Sequence, residues 1–351
     1  MSQGPTGAIA TIEMEEQLDE SGSAKVKARS PMQLAWARLR RDRGAMISLG
    51  VIILIVLIAI FAPVFAKITG HPPNQQYYGP DAKNPVTTLP VGPNAHFWFG
   101  ADNLGRDVLV RVAYGARVSL EVGLGATAVT IVVGVVMGLL SGYFGGIVDT
   151  IIARIIDVVL AVPYLLFAIA LVAVIGQVDI TLLILVIASF GWASVARIIR
   201  GQVVSLRERE FIEAARSLGA GHMRIMFVDL LPNVIAPAIV FSTLLIPVSV
   251  VTEAALSFLG IGIQPPTSDW GQMISDASGI YQTAWWFLFF PGLALLGTTL
   301  AFNIFGDGVR DAFDPRSDRL IIAGGSRRKK RKARKQADEK KAAEQQMEEA
   351  K

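Results

Sequence analysis

Long apolar runs alternate along this chain with shorter polar connectors. The first run, Met46 to Ala66, would extend about 31 Å at 1.5 Å per helical residue, enough to cross a hydrocarbon core. Comparable runs lie at Ser119 to Tyr143, Val158 to Ile175, Ile180 to Ala196, Val234 to Phe258 and Trp285 to Phe305. The pattern predicts an all-α, polytopic membrane protein with six transmembrane helices. The first run is too long, and too far from residue 1, to be a cleaved signal peptide.

The connector from Phe211 to Asn233 differs from the others, because helical periodicity continues through it in a polar setting. Ser205 and Glu208 have capping-box spacing, which predicts a helix starting near Leu206. Apolar residues follow at Phe211, Ala214, Ala215 and Leu218, and Gly219 stands where a left-handed residue would close the helix. A second short helix from about Gly221 is expected to end before Pro232, since the residue ahead of a proline is pushed out of helical geometry. The adjacent alanines leave the first helix slim enough to enter a groove on another protein. The same periodicity also fits an amphipathic connector lying on lipid.

Composition fixes the solvent: 52% of the residues are apolar and 18% are charged, unlike a soluble domain of 351 residues. Lys and Arg set the orientation, since cytoplasmic flanks carry their excess. Arg38, Arg40, Arg41 and Arg43 precede the first span, and Arg197, Arg200, Arg207, Arg209, Arg216 and Arg224 crowd the connector after the fourth. Gly260 to Thr283 contains neither residue type. Both termini are thus expected in the cytoplasm. Lys67 to Arg117 would be external, with Arg106, Arg111 and Arg117 on an interfacial helix leading into the second span. The resulting division is a cytoplasmic extension with a short amphipathic helix (1–45), a first span (46–66) and an external loop (67–116). A transport domain (117–310) with its cytoplasmic connector (205–233) and a basic cytoplasmic tail (311–351) complete it. Residues 1–30 read as disordered, and Ser30 followed by Pro31 reads as the start of the short helix. The basic run Arg327 to Lys335 suits attraction to anionic membrane lipid, not nucleic acid.

Enzyme chemistry is not legible. No G-x-x-x-x-G-K-[ST] phosphate loop occurs, so the chain is not expected to hydrolyse ATP itself. Cysteine is absent, and His71, His96 and His222 lack metal-ligand spacing, so no metal site is expected. The spans carry no mid-membrane acid of the kind a proton-coupled carrier needs. Glu253, in the outer part of the fifth, fits either a gate or substrate path or an interhelical hydrogen bond. Trp270 and Tyr281, in the last external loop, fit either interfacial anchors or closure of an outer gate. A transporter with neither nucleotide site nor ion relay needs energy from a partner, which returns attention to Phe211–Asn233.

The order Glu213-Ala214-Ala215, Gly219, Leu231-Pro232 resembles the E-A-A loop of inner-membrane permease subunits of ABC importers. Phe99-Gly100-Ala101-Asp102-Asn103-Leu104-Gly105-Arg106-Asp107, Tyr114-Gly115-Ala116-Arg117-Val118-Ser119-Leu120, Leu256-Ser257-Phe258-Leu259-Gly260, Pro265-Pro266, Trp270-Gly271 and the stretch Asn303 to Pro315 narrow the resemblance. Together they resemble the dipeptide/oligopeptide permease family, and within it the second, C-type permease. Asp229 departs from the loop motif, where Ile is expected, and the tail after Arg319 lies outside the family pattern. The resemblance implies a type I ABC importer permease fold and alternating access at the interface with a homologous second permease. It implies two ATPase subunits, which would bind ATP and Mg, and an extracytoplasmic substrate-binding protein, with no cofactor in this chain. It places the coupling role on Glu213, Ala214, Ala215, Gly219, Leu231 and Pro232, and the setting is a bacterial cytoplasmic membrane. Peptides are the implied cargo. Nickel chelates, glutathione or sugars would fit the same architecture, and a carrier working without an ATPase is the remaining alternative.

Overall fold

The computed structural model describes residues 31–176 and 178–313, so the readings made for 1–30 and 314–351 lie outside the described residues. Those residues are helical apart from loops and two isolated β-bridges, Lys83 with Pro90 and Ala101 with Asp107. Five helices are long and apolar enough to cross a membrane: α2 (Arg43–Ile60), α4 (Val108–Phe144), α7 (Ile180–Arg207), α9 (His222–Phe258) and α11 (Trp285–Phe313). The sixth candidate is a bent pair, α5 (Gly146–Ala161) and α6 (Tyr164–Ile175). The remaining helices are short: α1 (Pro31–Leu39), α3 (Ala62–Thr69), α8 (Glu210–Ser217) and α10 (Trp270–Ala277).

Aspartates start most of the long elements. Asp42 accepts from the backbone N–H of Gly44 at 2.8 Å, Asp107 from Leu109 at 2.9 Å and Asp179 from Leu182 at 2.7 Å. Each satisfies an orphan donor of a first turn and places negative charge at the positive end of the helix.

Apolar pattern alone set several boundaries wrongly. The run Met46 to Ala66 is two helices, not one, because Pro63 cannot donate to the turn before it, and the chain breaks at Phe61. The run Val158 to Ile175 crosses a break at Val162-Pro163, where α5 and α6 meet at 85°. The second span begins at Val108, so the division at 116/117 falls inside a helix. Arg111 and Arg117 lie on that helix and Arg106 just before it, and Arg106 and Arg111 are buried, not interfacial.

α4 and α7 form the spine. They run parallel, since the bent pair between them returns the chain to the starting side, and α9 and α4 run antiparallel. Gly134, Gly138 and Gly142 repeat every fourth residue along α4 and face Val195, Ile199 and Val203. A Cβ at these glycines would stand 2.6, 2.7 and 2.7 Å from those side chains, so only glycine allows this spacing. At one end of the bundle lie α1, α8 and both ends of the described chain. At the other lie the loop 70–107 and α10.

Candidate functional site

At the α8 end, α7 runs on to Arg207 through the point where a new helix was expected. Val203 is buried, Leu206 packs against the same cluster, and Arg207 Nη1 donates to the Gly142 carbonyl at 3.1 Å. Packing against α4 thereby overrides the Ser205/Glu208 capping spacing, and Glu208 ends the helix instead of helping to start one. The expected helix Leu206–Leu218 is therefore the shorter α8, whose N-cap Arg209 makes no side-chain capping bond.

The exit of α8 is closed as its glycine requires. Gly219 has φ +81°, its N–H bonds the Arg216 carbonyl at 2.9 Å, and the Ala220 N–H reaches back to the Ala215 carbonyl at 3.0 Å. This pair of bonds is the Schellman arrangement, in which a left-handed residue satisfies the last carbonyls of a helix. The second helix does not end before Pro232. It begins at His222, widens into a π-turn at Ile225–Leu230, and continues through Pro232 as α9. The Leu231 N–H bonds Met226 five residues back, and this wider turn accommodates the proline that follows.

One face of this helix–turn–helix is anchored and the other is open. Ile212 is buried against Ile225, Met226 and Leu230. Tyr143, at the end of α4, meets His222 Nδ1 through its hydroxyl at 2.8 Å, and the Arg216 guanidinium lies 5.7 Å from its ring centroid. On the open face Leu218 is 89% and Met223 65% exposed, with Phe211 and Phe227 also exposed. Glu213, Ala214 and Gly219 are exposed beside them, and Ala215 is half-buried. Leu231 and Pro232 stand apart from this group, on the first α-helical turn after the π-turn, where Leu231 packs toward the core and Pro232 is exposed. The arrangement presents an exposed apolar ridge with Glu210, Glu213 and Arg216 around it on a short helix closed by Gly219.

The α10 end is sealed. Asp102 accepts from Arg106 Nε at 2.6 Å and lies 3.5 Å from Arg111 Nε, with all three side chains buried. Arg111 also donates to the carbonyls of Pro73 and Pro266 at 3.3 and 3.4 Å, tying the loop 70–107 to the loop before α10. His71 Nδ1 lies 2.8 Å from Asp107, and burial pushes the Asp107 carboxyl above its ordinary value even though His71 draws it down. Two tryptophans close the packing through their indole N–H groups, Trp270 to the Val112 carbonyl at 2.9 Å and Trp286 to the Ala101 carbonyl at 3.0 Å. Glu253 and Trp270 are each buried within the chain, whereas Tyr281 is exposed. Asp269, which escaped the reading of the sequence as a site residue, starts α10 by accepting from the Gly271 N–H at 2.6 Å. Burial raises its carboxyl above the ordinary range. The signal for it was present: an aspartate directly before a helix is an N-cap. Among the described residues no cluster of His, Cys, Asp and Glu suits a metal ion.

A bundle of long apolar helices defines an integral multi-pass membrane protein. Residues 134–319 match the family described as the binding-protein-dependent transport system inner membrane component. Residues 30–85 match the N-terminal transmembrane domain of oligopeptide transport permease C. The chain belongs to this family of ABC importer permeases, in its peptide, dipeptide and glutathione branch. It is similar to a dipeptide transport system permease protein of Alkalihalophilus pseudofirmus, 40% identical over 287 residues that cover 82% of this chain and 90% of the relative. It is also similar to a glutathione transport system permease protein of Escherichia coli O157:H7, at 41% over 290 residues, 83% of this chain and 92% of the relative. A di/tripeptide transport system permease protein of Pseudomonas aeruginosa is 39% identical over 290 residues, 82% and 93% of the two chains.

Proposed function

We propose that this chain is the C-type permease of an ATP-driven importer of short peptides, and that α8 with its Gly219 turn is the element that couples it to an ATPase. The observation that carries the reading is the contrast within that element. Ile212 and Tyr143 fix it to the bundle, while Leu218, Met223 and Phe211 project from it uncovered. Glu213, Ala214, Ala215 and Gly219 form the docking helix and its closure. Leu231 and Pro232 carry the movement into α9. A second permease completes the path, two ATPase subunits bind ATP and Mg, and an extracytoplasmic protein delivers the cargo.

Orientation follows from the arginines: the α8 end and the chain termini face the cytoplasm of a bacterial inner membrane, and α10 faces outward. At the outer side Glu253 and Trp270 serve the gate as internal supports of α10, beneath the surface that meets cargo. The named cargoes of the relatives, dipeptide, di/tripeptide and glutathione, share a short peptide, and that chemical class is the one we assign.

Uptake of labelled di- and tripeptides into proteoliposomes holding the assembled complex tests the reading. Wild-type uptake is expected to need ATP. Gly219→Val and Glu213→Lys are expected to leave the complex assembled and ATP hydrolysis running while uptake falls. Full ATP-driven uptake in both variants would overturn the coupling assignment, and uptake without the ATPase would overturn the class of transporter.

A further inference from the structure

Glu253 on α9 and Asp269 at the start of α10 are both completely buried, on elements packed so closely that a Cβ at Gly271 would meet the Ala254 carbonyl oxygen. Their oxygens are satisfied by halves. Glu253 Oε1 accepts from the Ser257 hydroxyl at 3.3 Å, and Asp269 Oδ1 accepts from the Gly271 N–H at 2.6 Å. Glu253 Oε2 and Asp269 Oδ2 have no hydrogen-bond partner among the described residues, and neither has the hydroxyl of fully buried Ser119 on α4, which adjoins Glu253. Two ionised carboxylates can only accept, so as a doubly charged pair these oxygens would be buried, unsatisfied and mutually repelling.

The surrounding charges do not relieve this. On α4 the facing cation is Arg111, and with Arg106 it is already shared among Asp102, Asp276 and Asp269. Three aspartates thus face two guanidinium groups before Glu253 is counted. From α10 the pair meets the backbone N–H groups of Gly271 and Gln272, and α11 carries no titratable residue before Asp307. α9 adds only the Ser257 hydroxyl.

We propose that Glu253 and Asp269 form a proton-binding site, holding one proton between Oε2 and Oδ2, and that this shared proton fastens α10 to α9. The proton comes from bulk water and no other bond changes. It resides on Glu253, because Asp269 has the Gly271 N–H to stabilise its anion and Glu253 has only the Ser257 hydroxyl. The close packing of the two elements makes the site rigid: a Cβ at Gly271 would stand 2.2 Å from the Ala254 carbonyl oxygen. The site stands independently of the cargo, and peptide uptake is not its readout.

The test uses the assembled permease complex in detergent. Infrared spectra at neutral pH are expected to contain the carbonyl band of a protonated carboxyl group, shifted by carbon-13 labelling of glutamate and missing in Glu253→Gln. Glu253→Gln keeps an N–H donor toward Asp269 and is expected to hold the wild-type Tm, whereas Glu253→Ala lowers it. Wild-type Tm should fall as pH rises through the loss of the shared proton, because the folded state then binds one proton more than the unfolded chain, and Glu253→Gln should lack this slope. A labelled wild-type spectrum with no protonated-glutamate band would overturn the proposal, and it needs no variant to fold. So would a Tm that climbs with added sodium or calcium and collapses equally in Glu253→Gln and Glu253→Ala, which marks a cation between two ionised carboxylates.

Discussion

The two ends of α9 are built on opposite principles. At Glu253 the helix buries its carboxyl, and the neighbouring Trp270 is buried with its indole N–H donating to the Val112 carbonyl. At His222 it leaves Met223, Phe227 and the neighbouring Leu218 uncovered, while Ile212, Ile225 and Met226 and the Tyr143–His222 bond anchor the opposite face of the helix–turn–helix. A sealed end stores its stability internally. An open end of apolar side chains in a polar setting is completed by something else. The difference predicts where damage should act: on folding at the α10 end and, under the proposed coupling role, on uptake at the α8 end.

The largest expected effect is at Arg111. Arg111→Ala leaves Asp102 buried beside a single cation and cuts the links to Pro73 and Pro266, and breaking a buried ion pair in this way costs about 3–5 kcal/mol. Loss of folded complex in size-exclusion and thermal unfolding is the expected result. An Arg111→Ala complex that folds normally but does not transport would break the comparison.

Next is Gly219→Val, which forces a β-branched residue to φ +81° at a cost of about 1–2 kcal/mol confined to the turn. No side chain crowds this position, so the fold should survive with a small drop in Tm while ATP-driven uptake falls steeply. Glu213→Lys is smaller for stability, within about 0.5 kcal/mol for an exposed residue. Its uptake should still fall, so the ratio of uptake to ATP hydrolysis separates docking from folding. If Glu213→Lys lowers Tm as much as Arg111→Ala, the α8 end is part of the sealed core after all.

The smallest effect is a pH slope. Burial holds the Asp107 carboxyl above its unfolded value, so the folded state retains a proton longer than the unfolded chain. Its contribution to stability is present in full below the ordinary carboxylate range and declines as pH rises through the raised folded value. Asp107→Asn keeps a capping side chain and should flatten that part of the Tm–pH profile.

Of the candidate site, α8 and its closing glycine were legible because both rest on local rules. Apolar residues at helical spacing mark a helix, and a glycine after them marks a left-handed stop. The start of α8 was not legible, because Leu206 and Arg207 obey contacts with α4 that lie more than sixty residues away in sequence. Pro232 misled for the same reason, as a π-turn is a feature of packing more than of composition. The glycine repeat at 134, 138 and 142 could have been read from spacing alone as a close helix contact, though not its partner. His222 and His71 read as scattered histidines, yet one bonds Tyr143 and the other Asp107.

By itself, then, the sequence determined the apolar, helical character of the chain, the end bearing the arginines and the short helix closed by Gly219, because hydropathy, charge and turn chemistry act within a few residues. Tertiary structure alone decided which helix ends continue and which charges are buried, Glu253 and Asp269 among them. Those outcomes depend on which distant side chains occupy the same low-dielectric volume, where an unpaired polar group costs far more than any local preference can offset.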